Sequence, residues 1–212
     1  MMPGRRSVLT GLAALALATP AVAAGKVVDA KKVFPYLDAW LKLAPGERNR
    51  FRMSYAFTSG GKPLSVPVWL VDGALRQPVP LRADGRAERL PTLAQLDRAK
   101  VQVDVEPGAK VGVGMSLEPT MAPAVELNAR ELAAALAQAS AGMRKSLGIL
   151  AMAMPKLEAI LFLGVTSGEV EFADGRRAPL PVVKGVVSYN PALMPGARTL
   201  RFPRAPSRME IG

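Results

Sequence analysis

Short segments of alternating apolar and polar residues, closed by glycine-containing turns, constrain the fold of this chain most strongly. Over residues 51–57, large apolar side chains alternate with smaller or charged ones and stop at Ser59-Gly60-Gly61. Alternation with a period of two predicts a strand that buries one face. Asp72-Gly73, Asp84-Gly85 and Asp174-Gly175 can supply the positive φ angles of tight turns. These patterns together predict hairpins and a mostly antiparallel sheet.

Further strands are predicted over segments with the same signature. Residues 101–105 and 111–115 are rich in valine and are predicted to pair with each other across Pro107-Gly108, since β-branched residues favour strands. The other predicted strands lie at 64–70, 74–82, 170–172, 180–187, 199–202 and 208–211.

A helical pattern separates two groups of predicted strands. Asn128 and Glu131 form a capping arrangement, and apolar residues then recur every three or four positions over 129–163, the spacing of a helix face. Pro155 is expected to interrupt this helix. A shorter amphipathic helix is predicted over Val33–Leu43. The expected fold class is α+β: a mostly antiparallel, hairpin-built sheet, or two small sheets, packed against one long, proline-interrupted helix.

The first 24 residues have the layout of an export signal. The pair Arg5-Arg6 precedes an Ala/Leu-rich run over 8–18, and Ala21-Val22-Ala23 resembles a cleavage site. This layout predicts a signal peptide over residues 1–24, of twin-arginine or general secretory type, and a single α+β domain over 25–212. A periplasmic or secreted location follows. No membrane span is expected after signal removal, because charged residues and proline interrupt the long apolar segment.

The residue types that are missing exclude more chemistry than any motif indicates. The chain has no histidine and no cysteine among its 212 residues. Disulfides, imidazole-dependent hydrolase sites and the His/Cys ligand sets of zinc, copper, haem or iron–sulfur centres are therefore excluded. No catalytic residue, cofactor or metal ligand is predicted.

Two pairs of carboxylates are the remaining candidates for catalysis. Asp104 with Glu106, and Glu169 with Glu171, are each spaced two apart on a predicted strand, so each pair would project from one sheet face. Two such groups can divide acid and base roles. The intervening apolar residues indicate instead that this face is turned to solvent. A non-enzyme is expected, and a carboxylate-dependent envelope hydrolase is the alternative.

Positive charge is concentrated near the C-terminus. The chain has 28 lysines and arginines against 17 acidic residues, a net charge of +11. The segment 175–209 has no acidic residue, and its basic residues are predicted as an anion-contact surface: Arg176, Arg177, Lys184, Arg198, Arg201, Arg204 and Arg208. In a polyproline-like conformation, Arg198, Arg201 and Arg204 would lie on one side. A plain solvated surface is the alternative.

The helical stripe offers a second candidate site, an apolar cavity. Its lining residues would be Met143, Leu147, Leu150, Met154 and Leu161, since such side chains adapt to varied apolar ligands. Ordinary core packing explains the same stripe.

One short similarity recurs at a distance of 90 residues. Ala83-Asp84-Gly85-Arg86, followed by Leu90-Pro91, matches Ala173-Asp174-Gly175-Arg176, followed by Leu180-Pro181. Either two related hairpins flank the helix, or both segments share the chemistry of a turn.

Three functions remain open from the sequence. The leading expectation is a non-catalytic exported binding or envelope-interaction protein for an anionic or lipidic ligand, with anionic lipid, polysaccharide or an envelope protein as partner. The hydrolase is one alternative, and a structural partner in an envelope assembly, contacting through a free strand edge, is the other. The expected location and an aromatic content of 5% disfavour nucleic acid.

Overall fold

Antiparallel strand pairing organises the fold. The computed structural model describes residues 25–106, 108–148 and 156–212, so the predicted leader lies outside the described residues. The elements before residue 120 are β1 (Lys26–Asp29), α1 (Ala30–Val33), α2 (Leu37–Leu41), a 3-10 turn (Pro45–Glu47), β2 (Phe51–Ser59), β3 (Lys62–Pro63), β4 (Val68–Asp72), β5 (Leu75–Pro78), α3 (Leu93–Arg98), β6 (Lys100–Val103) and β7 (Val111–Pro119). Those after it are β8 (Glu126–Asn128), α4 (Ala129–Leu147), β9 (Ile160–Leu163), β10 (Glu169–Phe172), β11 (Arg177–Pro179), β12 (Val182–Val183), β13 (Val186–Tyr189), β14 (Ala197–Arg201) and β15 (Arg208–Ile211).

Within these residues the strands form three antiparallel sheets. The first-half sheet has the order β1-β6-β4-β5, the second-half sheet β11-β10-β14-β8, and the central sheet β12-β13-β9-β15-β7-β2-β3. Helix α4, with 19 residues, contacts β2 and β7 of the central sheet and β8 and β14 of the second-half sheet. The predicted α+β class, with antiparallel sheets packed against one long helix, is confirmed.

The two halves of the chain, residues 26–119 and 126–211, repeat one topology. In each half the chain passes from a strand of its outer sheet, the first-half or second-half sheet, through a helix to a strand of the central sheet. A hairpin of the outer sheet follows, and the half ends with one more outer-sheet strand and one more central-sheet strand. The outer order β1-β6-β4-β5 thus corresponds to β8-β14-β10-β11, and the central pair β2-β7 to β9-β15. The final strands β7 and β15 pair with each other, with Leu117 opposite Ile211. The halves therefore meet as like units, last strand against last strand.

Strand register makes this correspondence residue-specific. Val28, Val101 and Leu70 lie side by side on β1, β6 and β4. Their counterparts, side by side on β8, β14 and β10, are Leu127, Leu200 and Val170. In each half a helix starts at the residue after the outer strand, with a fully buried alanine, Ala30 or Ala129.

Aromatic side chains fill the core of the first half. Phe34, after α1, makes edge-to-face contacts with Tyr55 and Phe57 of β2, at ring-centroid distances of 5.1 and 6.0 Å. The Tyr55 hydroxyl donates a 2.6 Å hydrogen bond to the Pro35 carbonyl. The buried alternation that predicted β2 therefore also anchors the chain between α1 and α2.

The predicted hairpin across Pro107-Gly108 is wrong. β6 pairs with β1 and β4 in the first-half sheet, whereas β7 pairs with β2 and β15 in the central sheet. Both segments are strands, as valine content predicts, but their partners are distant in sequence. By contrast, the hairpin across Asp72-Gly73 is confirmed as β4-β5.

Both predicted helices are shorter than expected. The long helix does not reach Leu163: α4 ends at Leu147, and Ile160–Leu163 is strand β9. Pro155 lies outside the described residues. The segment predicted as one N-terminal helix is divided into α1 and α2, because proline at position 35 disfavours helical geometry in the residue before it and Tyr36 adopts a φ of 64°.

The similarity at 90 residues reflects a shared turn. In both segments the aspartate side chain accepts the backbone N–H of the arginine two residues on, and the glycine has a φ near 80°. In the repeated topology, however, the β10-β11 turn at Asp174-Gly175 corresponds to the β4-β5 turn at Asp72-Gly73. The sequence similarity and the structural repeat therefore have different registers.

Candidate functional site

An apolar groove opens between the first-half sheet and the central sheet. Its volume is about 280 Å³. Phe57 of β2 contributes a fully buried ring, and Val111 and Val113 of β7 line the groove where β7 becomes exposed. The remaining apolar lining comes from β1, β6, α1 and the turn between α1 and α2: Val28, Val101, Val103, Val33 and Pro35.

The second half fills the corresponding space with larger side chains. By register and by distance from the helix start, Val28, Val33, Val101 and Val103 correspond to Leu127, Leu132, Leu200 and Phe202. These four larger residues are each at most 7% exposed. Val101 and Val103 are as buried as their counterparts, whereas Val28 and Val33 are partly exposed where Leu127 and Leu132 are buried. The groove thus lies where the first half has valine and its structural counterpart has leucine or phenylalanine.

One exchange between the halves is complementary. Phe202 packs on Phe162 at a ring distance of 4.6 Å, and a Cβ added to Gly168 would approach its ring to 2.8 Å. In the first half, Val68 lies beside Val103 in the same register. Glycine thus makes room for phenylalanine in one half, and two valines share the space in the other.

Two lysines line the otherwise apolar groove. Lys26 precedes Val28 by two residues on β1, so both project from the same sheet face. Lys26 has no acidic partner within the described residues. Lys32 of α1 forms a 2.9 Å ion pair with Asp29, and both side chains are more than half exposed. The hydrogen bond and the charge of Lys32 lower the pKa of Asp29.

The lysines, too, have no counterpart in the second half. The residue backbone-paired with Phe202, at the position of Lys26, is Val125, and the position of Lys32 in α4 is taken by Glu131. Larger apolar side chains and the loss of positive charge thus occur together. The first half combines an apolar groove with positive charge.

The predicted anion-contact residues form several separate contacts. On the outer face of the second-half sheet, Glu171 forms ion pairs with Arg177 at 3.2 Å and with Arg201 at 3.3 Å. Arg201 also forms an ion pair with Glu126. These charges alternate across four neighbouring strands. Much of the predicted basic surface is therefore neutralised by acids that precede it in sequence.

The remaining basic residues of that segment are dispersed. Arg176 lies 3.9 Å over the Phe172 ring, and Arg208 pairs with Glu210 at 2.7 Å. Arg204 donates to the Gly164 carbonyl. Lys184 and Arg198 are exposed and have no acidic partner among the described side chains.

The polyproline alignment of the arginines is wrong. Arg198 and Arg201 belong to the paired strand β14, whose register with β10 shifts at Arg198, so these arginines do not follow a three-residue polyproline repeat. Arg204 follows that strand and lies outside it.

Of the five residues predicted to line an apolar cavity, only Met143 and Leu161 have described side chains, and they lie on different elements. Met143 of α4 is part of the buried core. Leu161 lies on a strand and not a helix, paired with Ser188 and Glu210, while its neighbours Ile160 and Phe162 face the core. Leu147 is the last residue of α4, and its side chain lies outside the described part of the structure. Leu150 and Met154 lie outside the described residues.

Two of the four candidate catalytic carboxylates, Asp104 and Glu171, accept hydrogen bonds from other side chains. Asp104 accepts the Trp69 indole N–H at 2.8 Å, the Gln102 amide at 2.9 Å and Arg76 at 3.2 Å. Glu106 and Glu169 are exposed. Across the described residues, no three aspartates or glutamates converge as metal ligands would.

A buried carboxylate that sequence patterning missed lies in the central sheet. Glu118 is 3% exposed and forms ion pairs with Arg52 at 2.9 Å and with Arg86 at 2.5 Å. Arg86 also forms an ion pair with Asp84 at 2.7 Å. Burial disfavours the charged carboxylate, but the hydrogen bond from Arg52 and the charge of Arg86 outweigh burial and lower the pKa of Glu118. The only signal that could have indicated this ion pair is strand register, because Arg52 and Glu118 lie opposite each other when β2 pairs with β7.

Helix length and hydropathy bear on membrane crossing. Among the described helices, none has both the length and the apolar character required of a transmembrane span. Comparisons with known protein families, with curated proteins and with solved structures found no match to this chain.

Proposed function

We propose that this protein is an exported, non-catalytic binding protein of the cell envelope, whose ligand inserts an apolar chain into the first-half groove. The observation that carries the proposal is the contrast between the halves. Buried leucine and phenylalanine side chains occupy these positions in the second half, whereas valines at the same positions line an open groove in the first. Apolar, concave surfaces of this kind are the usual sites of small-molecule binding.

The groove volume sets the size of the chain that fits. Since a water molecule takes roughly 30 Å³ of liquid and a methylene group is of similar size, 280 Å³ holds about nine such groups. An octyl chain is therefore a suitable probe. At roughly 0.5 kcal/mol per non-hydrogen atom, octanol would bind with about 4.5 kcal/mol, a Kd near 0.5 mM.

The contacts of the other candidate sites support them less. The arginines of the C-terminal segment are largely engaged with acids or backbone, and among the hydrolase candidates Asp104 and Glu171 are engaged with donors of the protein itself. A contact with an envelope partner keeps one specific observation in its favour. Val182 and Val183, each 54% exposed, lie on the edge strand β12 of the central sheet.

The binding test uses the protein as an expressing bacterium yields it, with its N-terminus defined by mass spectrometry. Octanol is titrated while the valine methyl groups are followed by NMR. We expect shifts at groove valines and none at Val182 or Val183. A precursor mass from the cytoplasmic fraction alone would contradict export.

A matched pair of variants tests the location. V33L/V113F adds carbon atoms to two partly exposed groove positions and should weaken octanol binding about tenfold or more, because most of the octyl volume is then occupied. V182L/V183F adds the same atoms on β12 and should leave the affinity unchanged. V113F with its control V183F serves if the double variant does not fold. Unchanged octanol affinity in a folded groove variant would overturn the proposal.

A further inference from the structure

We propose that the ligand of the groove is a single-chain amphiphile with an anionic head group, a medium-chain carboxylate, held by Lys26 and Lys32. This inference rests on the proposed function and adds the chemical class of the ligand. Three features of the molecule support it: the position of the two lysines, the residues that replace them in the second half, and the size of the groove.

Lys26 is placed to meet a head group at the groove. It lies on the edge strand β1, directly across the ladder from Val103, and on the same face as Val28. Its methylene stem can therefore lie along the apolar wall while the ammonium group stays in water. Since no acidic side chain among the described residues pairs with it, its charge is available to an anion.

Lys32 supplies a second cation to the groove lining, from helix α1. Its pair with Asp29 is exposed on both sides, at 74% and 54%, and such surface pairs are weak. An anion can therefore compete for Lys32 with little loss. Lys26, Lys32 and Asp29 together are net positive, whereas their counterparts Val125, Glu131 and Asn128 are net negative.

The size of the groove selects one chain over two. About 280 Å³ accommodates one octyl-length chain and not the two long chains of a membrane phospholipid. A carboxylate matches the two exposed ammonium groups, while a cationic head group would be repelled by them. The structure thus favours a free anionic amphiphile over a neutral one or an intact bilayer lipid.

The experiment compares three octyl probes at pH 8 and low salt: octanoate, octanol and octyltrimethylammonium. We expect octanoate to bind about threefold to tenfold more tightly than octanol, the size of effect that exposed charge pairs provide, and octyltrimethylammonium to bind most weakly. The octanoate advantage should shrink at 0.5 M salt, where exposed charges are screened.

Variants separate the head-group inference from the proposed function. K26Q should reduce octanoate affinity toward that of octanol, while K184Q, an equal change of charge on the turn between β12 and β13, should leave both affinities unchanged. Octanol binding in the groove with no preference for octanoate, or a preference that K26Q does not reduce, overturns this inference and leaves the proposed function standing. Absence of binding by every octyl probe overturns both. Binding to phosphatidylglycerol vesicles but not to octanoate identifies a membrane surface as the anion source and also overturns it.

Discussion

Gly168 and Phe202 of the second half occupy the positions that Val68 and Val103 occupy in the first. This complementary exchange predicts the outcome of a double-mutant cycle. Phe202→Val removes four carbon atoms from a site that is 7% exposed; at about 0.8 kcal/mol per buried carbon, the free energy of unfolding should fall by about 3 kcal/mol. Gly168→Val places a side chain against both the Phe202 ring and Leu180, since a Cβ there would approach them to 2.8 and 2.9 Å. Overpacking of this kind costs about 1–3 kcal/mol.

The double variant G168V/F202V recreates the pair that the first half already accommodates. The added valine then occupies space vacated by the ring, so the two losses should not add in full, although the contact with Leu180 remains. We expect a coupling free energy of at least about 1 kcal/mol in favour of the double variant, well above the roughly 0.5 kcal/mol scatter of independent sites.

Urea unfolding followed by circular dichroism measures all four corners of this cycle. Equal m-values across the variants are the control that the unfolding transition itself is unchanged. Additivity within about 0.5 kcal/mol would mean that the two halves do not correspond residue by residue at this position, and would refute the reasoning that defines the groove.

Three further variants test other contacts by the same measurement. E118Q should lower the free energy of unfolding by about 2–3 kcal/mol at pH 7, because it weakens a buried acceptor of two arginines. Since the fold lowers the pKa of Glu118, this stabilisation is present above the unfolded-state pKa and is lost as the pH falls through the folded-state pKa. A difference between wild type and E118Q that persists undiminished in acid would contradict this explanation. N128A removes a side chain that accepts the Arg130 and Glu131 N–H groups at the start of α4 and should cost about 1 kcal/mol, a melting-temperature shift of about 2–4 °C. R177Q, at a side chain 57% exposed, should change stability by less than about 1 kcal/mol, and a larger loss would mean that the ion-pair ladder of the second-half sheet is cooperative.

Local chemistry accounts for the parts of the fold that sequence predicts well. The Asp72-Gly73 hairpin, the strand after Arg50 and the start of α4 at Asn128 each depend on residues within a few positions of one another. Turn glycines, period-two alternation and a capping side chain act over that range. These features could therefore be identified from the chain alone.

Long-range pairing accounts for the failures. Val101 and Val111 sit on strands of different sheets, and nothing in a valine-rich segment names its partner. Ile160 and Phe162 are spaced two apart, which suits a strand, but Leu161 between them continues the three-and-four spacing of the predicted helix. A short apolar run is ambiguous between helix and strand when it is read by periodicity alone.

The candidate groove could not be predicted for a related reason. It depends on comparing Val28 with Leu127 and Val103 with Phe202, and these pairs share no sequence motif. Loops and inserted elements differ between the halves: β3 and α3 belong to the first and the β12-β13 hairpin to the second. Only strand register reveals which positions are equivalent.

An underfilled groove is not by itself evidence of binding, because proteins are rarely packed to their stability optimum. The charges supply the second, independent observation. A lysine on the inward face of an edge strand can also protect that edge from pairing with another chain, and β1 is such an edge. That role requires charge on the strand but gives no reason for Lys32, on the neighbouring helix, to line the same groove. Edge protection also leaves the four valines unexplained, whereas an anionic amphiphile accounts for the apolar walls and both cations together.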